Sequence, residues 1–267
     1  MLLRAGVLLC IIFSAIQSFA QIGQVREYDI FGADYKKVTI LSESLKGAVF
    51  YLVSGHGGPD PGAVGKYGRY QLSEDEYAYD ATLRLARKLI EKGALVYMIT
   101  RDSNDGIRDE AVLKMDKDEK CYPNLTIPLN HTARLLQRTK AVNTLYRKYR
   151  GRYQRVIMIH LDSRSLGENI DVFFYHYSKS KSGKRLATRL KNKFKEKYAK
   201  FQPNRKYSGT VSSRNLYVLR NTKPTAVFIE LGNIRNTRDQ RRFVLKDNRD
   251  AVAKWIAEGL EEDFRAR

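Results

Sequence analysis

The chain has 267 residues and a formal net charge of +20 at neutral pH, and 43% of its residues are hydrophobic. This length supports one substantial hydrophobic core, and no second hydrophobic pattern calls for another domain. The excess of lysine and arginine favours a polyanionic partner, either nucleic acid or a charged polymer such as a cell wall, and charge alone does not choose between them.

The first 20 residues have the pattern of a secretory signal peptide. Arg4 precedes an apolar run over residues 6–16, and Ser18-Phe19-Ala20 supplies the small residues that signal peptidase prefers. Because the run is shorter than the roughly 20 apolar residues of a membrane-spanning helix, we expect no stable membrane anchor. The mature protein would start at Gln21 and be secreted to the periplasm or cell envelope. Export disfavours nucleic acid as the partner and favours a cell wall.

The sequence contains two cysteines. Cys10 lies within the signal peptide and lacks the small preceding residue of a lipoprotein signal, so we do not expect lipidation. Cys121 would be the only thiol of the mature chain, which excludes an intramolecular disulfide.

Strand and helix patterns alternate along the rest of the chain. A polar lead segment, residues 21–46, contains one possible edge strand at 38–41. Apolar runs predict strands at 48–53, 95–100, 156–159, 170–175, 216–219 and 226–229, and helical spacing predicts helices at 74–92, 135–149, 183–200 and 252–260. This alternation predicts a single α/β domain over residues 47–265, with a mostly parallel central sheet flanked by helices. We interpret the basic face of helix 183–200 as solvated surface.

Three polar side chains follow predicted buried strands. His56 follows the strand ending at residue 53, His160 follows strand 156–159 and Glu230 follows strand 226–229. One histidine in such a place is more often structural than functional. Two histidines and a glutamate at three strand ends instead indicate a shared site, because functional groups gather at the carboxyl edge of an open α/β sheet.

A His, His and carboxylate set suits catalytic zinc, which takes three protein ligands and keeps one position open. Glu74 and Glu76 both lie at the start of a predicted helix, and spacing alone does not choose between them. Acidic residues also favour helix N-termini through the helix dipole, so neither need be a ligand. We expect no role at a strand end for His131 or His176, and we interpret both as structural or surface residues.

Six ordered segments resemble the motifs of the zinc-dependent N-acetylmuramoyl-L-alanine amidases, the amidase type 3 family of cell wall hydrolases. The segments are residues 55–65 (GHGGPDPGAVG), the Glu74 to Ala86 spacing, residues 96–105 (VYMITRDSND), 135–143 (LLQRTKAVN), 158–162 (MIHLD), and 218–222 (VLRNT) with 227–236 (VFIELGNIRN). Together they span roughly residues 47 to 260, which makes the resemblance specific.

The resemblance implies that His56, Glu74 and His160 bind Zn2+ and that Glu230 is the catalytic base. Glu76 remains the reserve ligand. The implied reaction is hydrolysis of the amide between N-acetylmuramic acid and L-alanine in peptidoglycan, for cell wall remodelling. The sequence departs from the family at three positions that are not proposed ligands: Asp75, Asp162 and Asn233.

The expected partner is peptidoglycan, and a protein activator is a further candidate. We expect the chain to be a monomer. A zinc peptidase cutting within the stem peptide could use the same metal chemistry and stays an alternative. A non-catalytic wall-binding module would not need all four site residues. A nucleic-acid-binding protein lacks a recognised motif.

Residues 106–131 resemble an insertion in a strand-to-helix connection. Residues 110–115 predict a short helix, followed by a charged stretch and two prolines. Connections of this length are uncommon unless functional or disordered. The segment is therefore either a lid over the active site or a surface decoration.

Overall fold

The structure is a computed structural model, and it describes residues 21–163 and 168–267. The signal peptide prediction concerns residues 1–20 and lies outside the described residues. Within the described part of the chain, no helix is long and apolar enough to cross a membrane.

The described chain contains strands and α-helices that alternate along most of its length. The strands are β1 (Val25–Glu27), β2 (Lys37–Thr39), β3 (Ala48–Ser54), β4 (Val64–Tyr67), β5 (Tyr70–Ser73), β6 (Leu95–Met98), β7 (Thr100–Arg101), β8 (Lys120–Cys121), β9 (Leu125–Thr126), β10 (Tyr153–Asp162), β11 (Phe173–His176), β12 (Val211–Ser213) and β13 (Thr225–Asn233). The helices are α1 (Glu74–Glu91), α2 (His131–Lys148), α3 (Lys181–Phe201), α4 (Tyr217–Asn221), α5 (Thr237–Val244) and α6 (Lys246–Arg265).

The central sheet has six strands in the order β12-β11-β13-β10-β3-β6. Every neighbouring pair is parallel except β11 and β13, which are antiparallel. The prediction of a single α/β domain with a mostly parallel sheet is confirmed. Because β3, β10 and β13 are parallel neighbours, their carboxyl ends lie at one edge of the sheet.

Helices cover both faces of this sheet. Along β3, Phe50 and Leu52 belong to one hydrophobic cluster, whereas Val49, Tyr51 and Val53 belong to another. The first cluster packs under α1, α3 and α6, and the second under α2 and α4. The alternation explains why β3 is apolar at nearly every position, as expected for a strand buried on both faces.

A buried ion-pair network joins α1 to α6. Oδ2 of Asp80 accepts from Nε of Arg84 at 2.7 Å and lies 2.8 Å from Nε of Arg249. All three side chains are nearly inaccessible to solvent. A buried carboxylate is tolerated when it is paired in this way, so the network fixes how the two helices pack.

The lead segment, residues 21–46, packs on the surface of the domain and adds no strand to the central sheet. The expected edge strand forms as β2, but it pairs with β1 in a separate two-stranded sheet. Val38 and Ile40 are buried in the main core, and the backbone N–H of Leu41 donates to the carbonyl of Glu91 at the end of α1. The segment therefore stabilises the helix that begins at Glu74.

Two sequence-based assignments near the end of the chain are wrong or incomplete. The strand predicted at 216–219 is helix α4, in which Val218 and Leu219 pack into the second cluster. A four-residue apolar run does not distinguish a buried strand from a short buried helix. The edge strand β12 and helix α5 were not predicted, because both are mostly polar in sequence.

The segment 106–131 is mostly extended and packs against the rest of the domain. Residues 110–115 do not form the predicted helix. Nη2 of Arg249 donates to the carbonyls of Arg108 and Glu110, and a helix would need these carbonyls for its own hydrogen bonds. Ile107 and Leu113 are anchored in the main core. Further along, β8 and β9 form a small sheet with β7.

Candidate metal centre

Three of the predicted site residues converge at the carboxyl edge of the sheet. His56 lies two residues beyond β3, Glu74 is the first residue of α1, and His160 lies near the end of β10. One ligand atom from each lies within 4.8 Å of the others. The structure therefore brings together the three residues that the sequence suggested for metal binding.

Glu74 lies between the two imidazole rings. Its Oε2 is 3.2 Å from Nε2 of His56, and its Oε1 is 2.8 Å from Nδ1 of His160. The rings are nearly perpendicular, with centroids 5.2 Å apart. The same carboxylate accepts backbone N–H bonds from Ala63 and Leu161, which hold it in place.

Two glycines make this convergence sterically possible. A Cβ on Gly55 would lie 2.4 Å from Nδ1 of His160, so only glycine lets that ring cross the loop after β3. Gly62 has φ +69°, and a Cβ there would lie 2.7 Å from both Oε2 of Glu74 and the His56 ring. His56 itself has φ 58°, a left-handed conformation that non-glycine residues adopt at a cost.

A carboxylate and two arginines orient His56. Nδ1 of His56 lies 2.9 Å from Oδ2 of Asp60, which also accepts from Nη2 of Arg134 at 2.6 Å. Arg138 donates to the backbone carbonyl of His56. Asp60 and Arg138 both lie inside motifs that the sequence shares with the family, yet the motifs alone assign them no role.

His160 is fixed by an aromatic stack. Its ring lies on that of Phe228, with centroids 4.1 Å apart and planes 18° from parallel. Burial lowers the pKa of His160, which favours the neutral imidazole that binds metals. The stack and Glu74 together leave the ring little freedom to turn away.

The electrostatics of His56 and Glu74 are coupled. Burial lowers the pKa of His56, but hydrogen bonds with Asp60 and Glu74 outweigh it and raise the pKa to about 10. Burial raises the pKa of Glu74, and the two histidines reverse this effect, so that its pKa falls well below the usual range. The contacts of Glu74 thus favour its ionised form, which is the form that binds a cation.

Glu230 faces the same cavity from the adjacent strand. It is the register partner of His160 on β13, and both residues line a cavity of about 870 Å³ with His56 and Glu74. Neither strand ends where the sequence suggested: β10 and β13 continue through His160 and Glu230, because the two strands keep pairing to the sheet edge.

Other acidic and histidine candidates lie elsewhere. Glu76, the reserve ligand, pairs with Nη2 of Arg108 at 2.8 Å. His131 begins α2 at the cavity rim and is exposed. His176, for which we expected no role at a strand end, does end β11, but β11 runs antiparallel to β13 and places it at the opposite edge of the sheet.

The three departures from the family pattern lie in different surroundings. Asp162 lines the cavity, whereas Asp75 is buried and does not. Asn233 is fully buried and holds the turn after β13 by accepting from the backbone N–H of Arg235. Of the three, only Asp162 is therefore placed to meet a substrate directly.

The lid interpretation of residues 106–131 finds no support in these contacts. Of this described segment only His131 lines the cavity. Glu119 instead lies beneath the loop that carries His56, where its Oε2 accepts from the backbone N–H of Gly58 at 2.6 Å. The segment therefore contacts the loop that carries His56 on the side away from the cavity and does not cover the cavity.

Comparison with known proteins identifies similar chains. Residues 51–262 match the sequence family described as N-acetylmuramoyl-L-alanine amidase. A germination-specific N-acetylmuramoyl-L-alanine amidase of Bacillus subtilis is 26% identical over 224 residues, which cover 82% of this chain and 81% of that protein.

Solved structures share the fold. The CwlD amidase of Clostridioides difficile, solved in complex with the GerS lipoprotein, has a TM-score of 0.61 at 20% identity, covering 82% of this chain and 99% of that chain. The amidase AmiC2 of Nostoc punctiforme has a TM-score of 0.56 at 20% identity, covering 85% and 99%. At these identities the likeness shows the fold alone.

Proposed function

Since the chain belongs to the N-acetylmuramoyl-L-alanine amidase family, we propose that it hydrolyses the amide between N-acetylmuramic acid and L-alanine in peptidoglycan with a zinc ion bound by His56, Glu74 and His160. The observation that carries the zinc assignment is the convergence of two imidazoles on one buried carboxylate. Nε2 of His56 and Nδ1 of His160 are the nitrogens that face Glu74.

The donor set fits zinc. Two histidine nitrogens and one carboxylate leave a fourth position open in a tetrahedral site, as in other catalytic zinc centres. Asp60 bonds the second nitrogen of His56, the kind of outer contact that fixes the orientation of a ligating imidazole. Bound zinc would supply Lewis acidity, lowering the pKa of a water toward ~7 and polarising the scissile carbonyl.

Glu230 is the proposed general base. Its carboxylate would accept a proton from the attacking water and deliver it to the leaving nitrogen of L-alanine. The register pairing supports this role, because it places Glu230 beside His160 without making it part of the three-residue cluster. Base and metal ligands would then act on the same carbonyl from neighbouring strands.

The walls of the cavity suit an acidic peptide. Arg134, Arg214 and Arg235 line it together with Glu230. Stem peptides carry free carboxylates, which such side chains attract. The overall charge of +20 acts in the same direction over longer distances.

Digestion of purified peptidoglycan followed by mass spectrometry tests this function. An amidase releases intact stem peptides with a free L-alanine amine. A zinc peptidase, the alternative reaction, would instead release shortened peptides and leave L-alanine on the glycan. Products of the second kind alone would overturn the proposal.

We further propose that the mature chain, from Gln21 onward, is secreted and acts in the periplasm or cell envelope. The signal pattern and the wall substrate support this location. One structural neighbour was solved with a lipoprotein, which supports a protein partner as a candidate regulator of this chain. Copurification of the secreted protein with envelope proteins would test that suggestion.

A further inference from the structure

A second cavity lies between the end of α3, helix α5 and the first half of α6. Its volume is about 530 Å³, which is in the range of sites for small molecules. Of the twelve described residues that line it, four are arginines and none is acidic. None of the twelve lines the active-site cavity. The cavity is therefore a separate and strongly basic feature of the molecule.

Two of the four arginines are neutralised by buried carboxylates. Arg205 and Arg242 both pair with Asp171, and Arg242 also pairs with Asp239. The side chains of both aspartates are 0% exposed. Because Asp171 binds Arg205 from the turn after α3 and Arg242 from α5, these pairs hold the cavity wall in place without giving it a net charge.

The other two arginines, Arg238 and Arg241, keep their charge uncompensated. Both are exposed residues of α5. Within residues 21–163 and 168–267, their side chains form no ion pair or hydrogen bond, and their contacts to Asn236 and Asn248 use backbone atoms. Residues three apart on a helix are neighbours, and two like charges in this arrangement repel each other. An anion bound at the cavity would offset that repulsion.

Arg242 adds a donor from the buried wall. Its side chain is only 5% exposed. Nη1 donates to the carbonyls of Asp171 and Leu231, whereas Nη2 has one acceptor, Oδ1 of Asp171 at 3.1 Å. Each terminal nitrogen of a guanidinium carries two N–H groups, so one N–H of Nη2 has no acceptor among the described residues. Buried donors are normally paired, and a ligand oxygen in the cavity would complete this one.

We propose that this cavity binds the phosphate group of a phosphorylated sugar, with Arg238 and Arg241 providing most of the charge. A phosphate monoester carries about two negative charges at neutral pH, which match the two uncompensated guanidinium groups, and a single carboxylate would match only one. Guanidinium groups also bind phosphate oxygens through paired hydrogen bonds. The phosphate is therefore the part of the ligand that the arginines recognise.

The rest of the cavity suits the sugar. A phosphate ion is only a few times larger than a water molecule, whose share of liquid volume is about 30 Å³, so the cavity has room for further atoms. The amide side chains of Gln202, Asn204 and Asn248 line it. Amides both donate and accept hydrogen bonds, as sugar hydroxyls do. The ligand thus combines one dianionic group with several neutral polar groups.

Trp255 provides a local probe for the test. It is the only tryptophan of the sequence, and it lines this cavity and not the active-site cavity. Isotope-labelled, zinc-loaded mature protein is titrated with glucose 1-phosphate while the indole N–H signal of Trp255 is followed by NMR. We expect a saturable shift with glucose 1-phosphate, weaker binding of inorganic phosphate and no shift with glucose. No hydrolysis is measured, so failure would leave the amidase proposal untouched.

Variants show whether the arginines carry the binding. Arg238→Gln and Arg241→Gln should each raise the Kd for glucose 1-phosphate by about 10-fold or more, because each removes a charge-assisted hydrogen bond. The control Arg185→Gln removes the same charge from an exposed position on α3 and should bind like the wild type. Without ligand, all three variants should keep the Tm of the wild type, because the side chains are exposed.

Three results would overturn the proposal. Glucose 1-phosphate could leave the Trp255 signal of the wild type unchanged. The double variant Arg238→Gln/Arg241→Gln could bind as tightly as the wild type. Arg185→Gln could lose as much affinity as the cavity variants, which would show attraction to the overall charge rather than to this cavity. Equal affinity for inorganic phosphate and glucose 1-phosphate would overturn the assignment of the sugar.

Discussion

His160 and Glu230 are register partners on the adjacent parallel strands β10 and β13. Side chains of paired residues on neighbouring strands project from the same face of a sheet. The sheet itself therefore sets the proposed metal ligand His160 beside the proposed proton acceptor Glu230, and the two proposed roles can be separated by mutation.

The first prediction concerns Glu230→Gln, which keeps the shape of the side chain and removes its ability to accept a proton. Zinc content should be unchanged while kcat falls by roughly 10²-fold or more, the usual scale of general acid–base catalysis. Metal analysis and turnover of muropeptides measure the two effects, with Glu110→Gln as the remote control. Loss of zinc together with activity would make Glu230 a ligand or a structural residue.

Glu74 and Glu76 provide a matched pair for the metal assignment. Glu74→Gln should lose most bound zinc, because it removes the charge that both imidazoles face. Glu76→Gln should keep zinc, since Glu76 pairs with Arg108 away from the histidines. Metal analysis after gel filtration decides, and equal zinc content in the two variants would refute the assignment.

Asp60→Asn should weaken zinc binding without unfolding the protein. Removing a carboxylate that orients a ligating histidine typically costs about 10- to 100-fold in metal affinity. Arg134→Gln should have a smaller effect in the same direction, because Arg134 acts on His56 only through Asp60. Competition with a chromogenic chelator measures both affinities. An unchanged affinity in Asp60→Asn would show that His56 is oriented by other contacts.

Gly55→Ala should displace His160 by direct steric contact, because its Cβ would lie 2.4 Å from Nδ1 of that ring. Zinc affinity should fall by about 10-fold or more, since outer contacts that set ligand orientation are worth this much. The control is Gly151→Ala, where the new Cβ meets nothing within 4 Å but φ is +82°. That variant should lose roughly 1–2 kcal/mol of stability and keep its zinc. Full zinc affinity in Gly55→Ala would contradict the close packing of His160 against the loop.

The fold and the two proposed histidine ligands were predictable because their signals are local, whereas Glu74 was preferred to Glu76 only through the resemblance to the amidase family. His56 and His160 follow apolar β-rich runs, and Glu74 begins a helix with clear apolar spacing. The parallel sheet then determines that the strand ends meet. The ends of β10 and β13 were not predictable, because His160 and Glu230 interrupt the apolar runs and pairing across the sheet continues both strands beyond them.

Contacts between segments that are distant in the chain could not be predicted from the sequence. Nothing local shows that Arg134 reaches Asp60 or that Glu119 reaches Gly58, since each pair is more than 60 residues apart in the chain. The prediction of a strand at 216–219 was wrong for a different reason. A short apolar run can be buried equally well as a strand or as a short helix.

Reconstitution of metal-free protein tests the central claim most directly. Zinc is added stepwise to the stripped mature chain, and the release of stem peptides with a free L-alanine amine is measured at each step. We predict negligible release without metal and a rise that saturates at one zinc per chain, with Glu74→Gln inactive at the same zinc concentrations. Full activity of the stripped wild type, or zinc-dependent activity of Glu74→Gln equal to that of the wild type, would contradict the account.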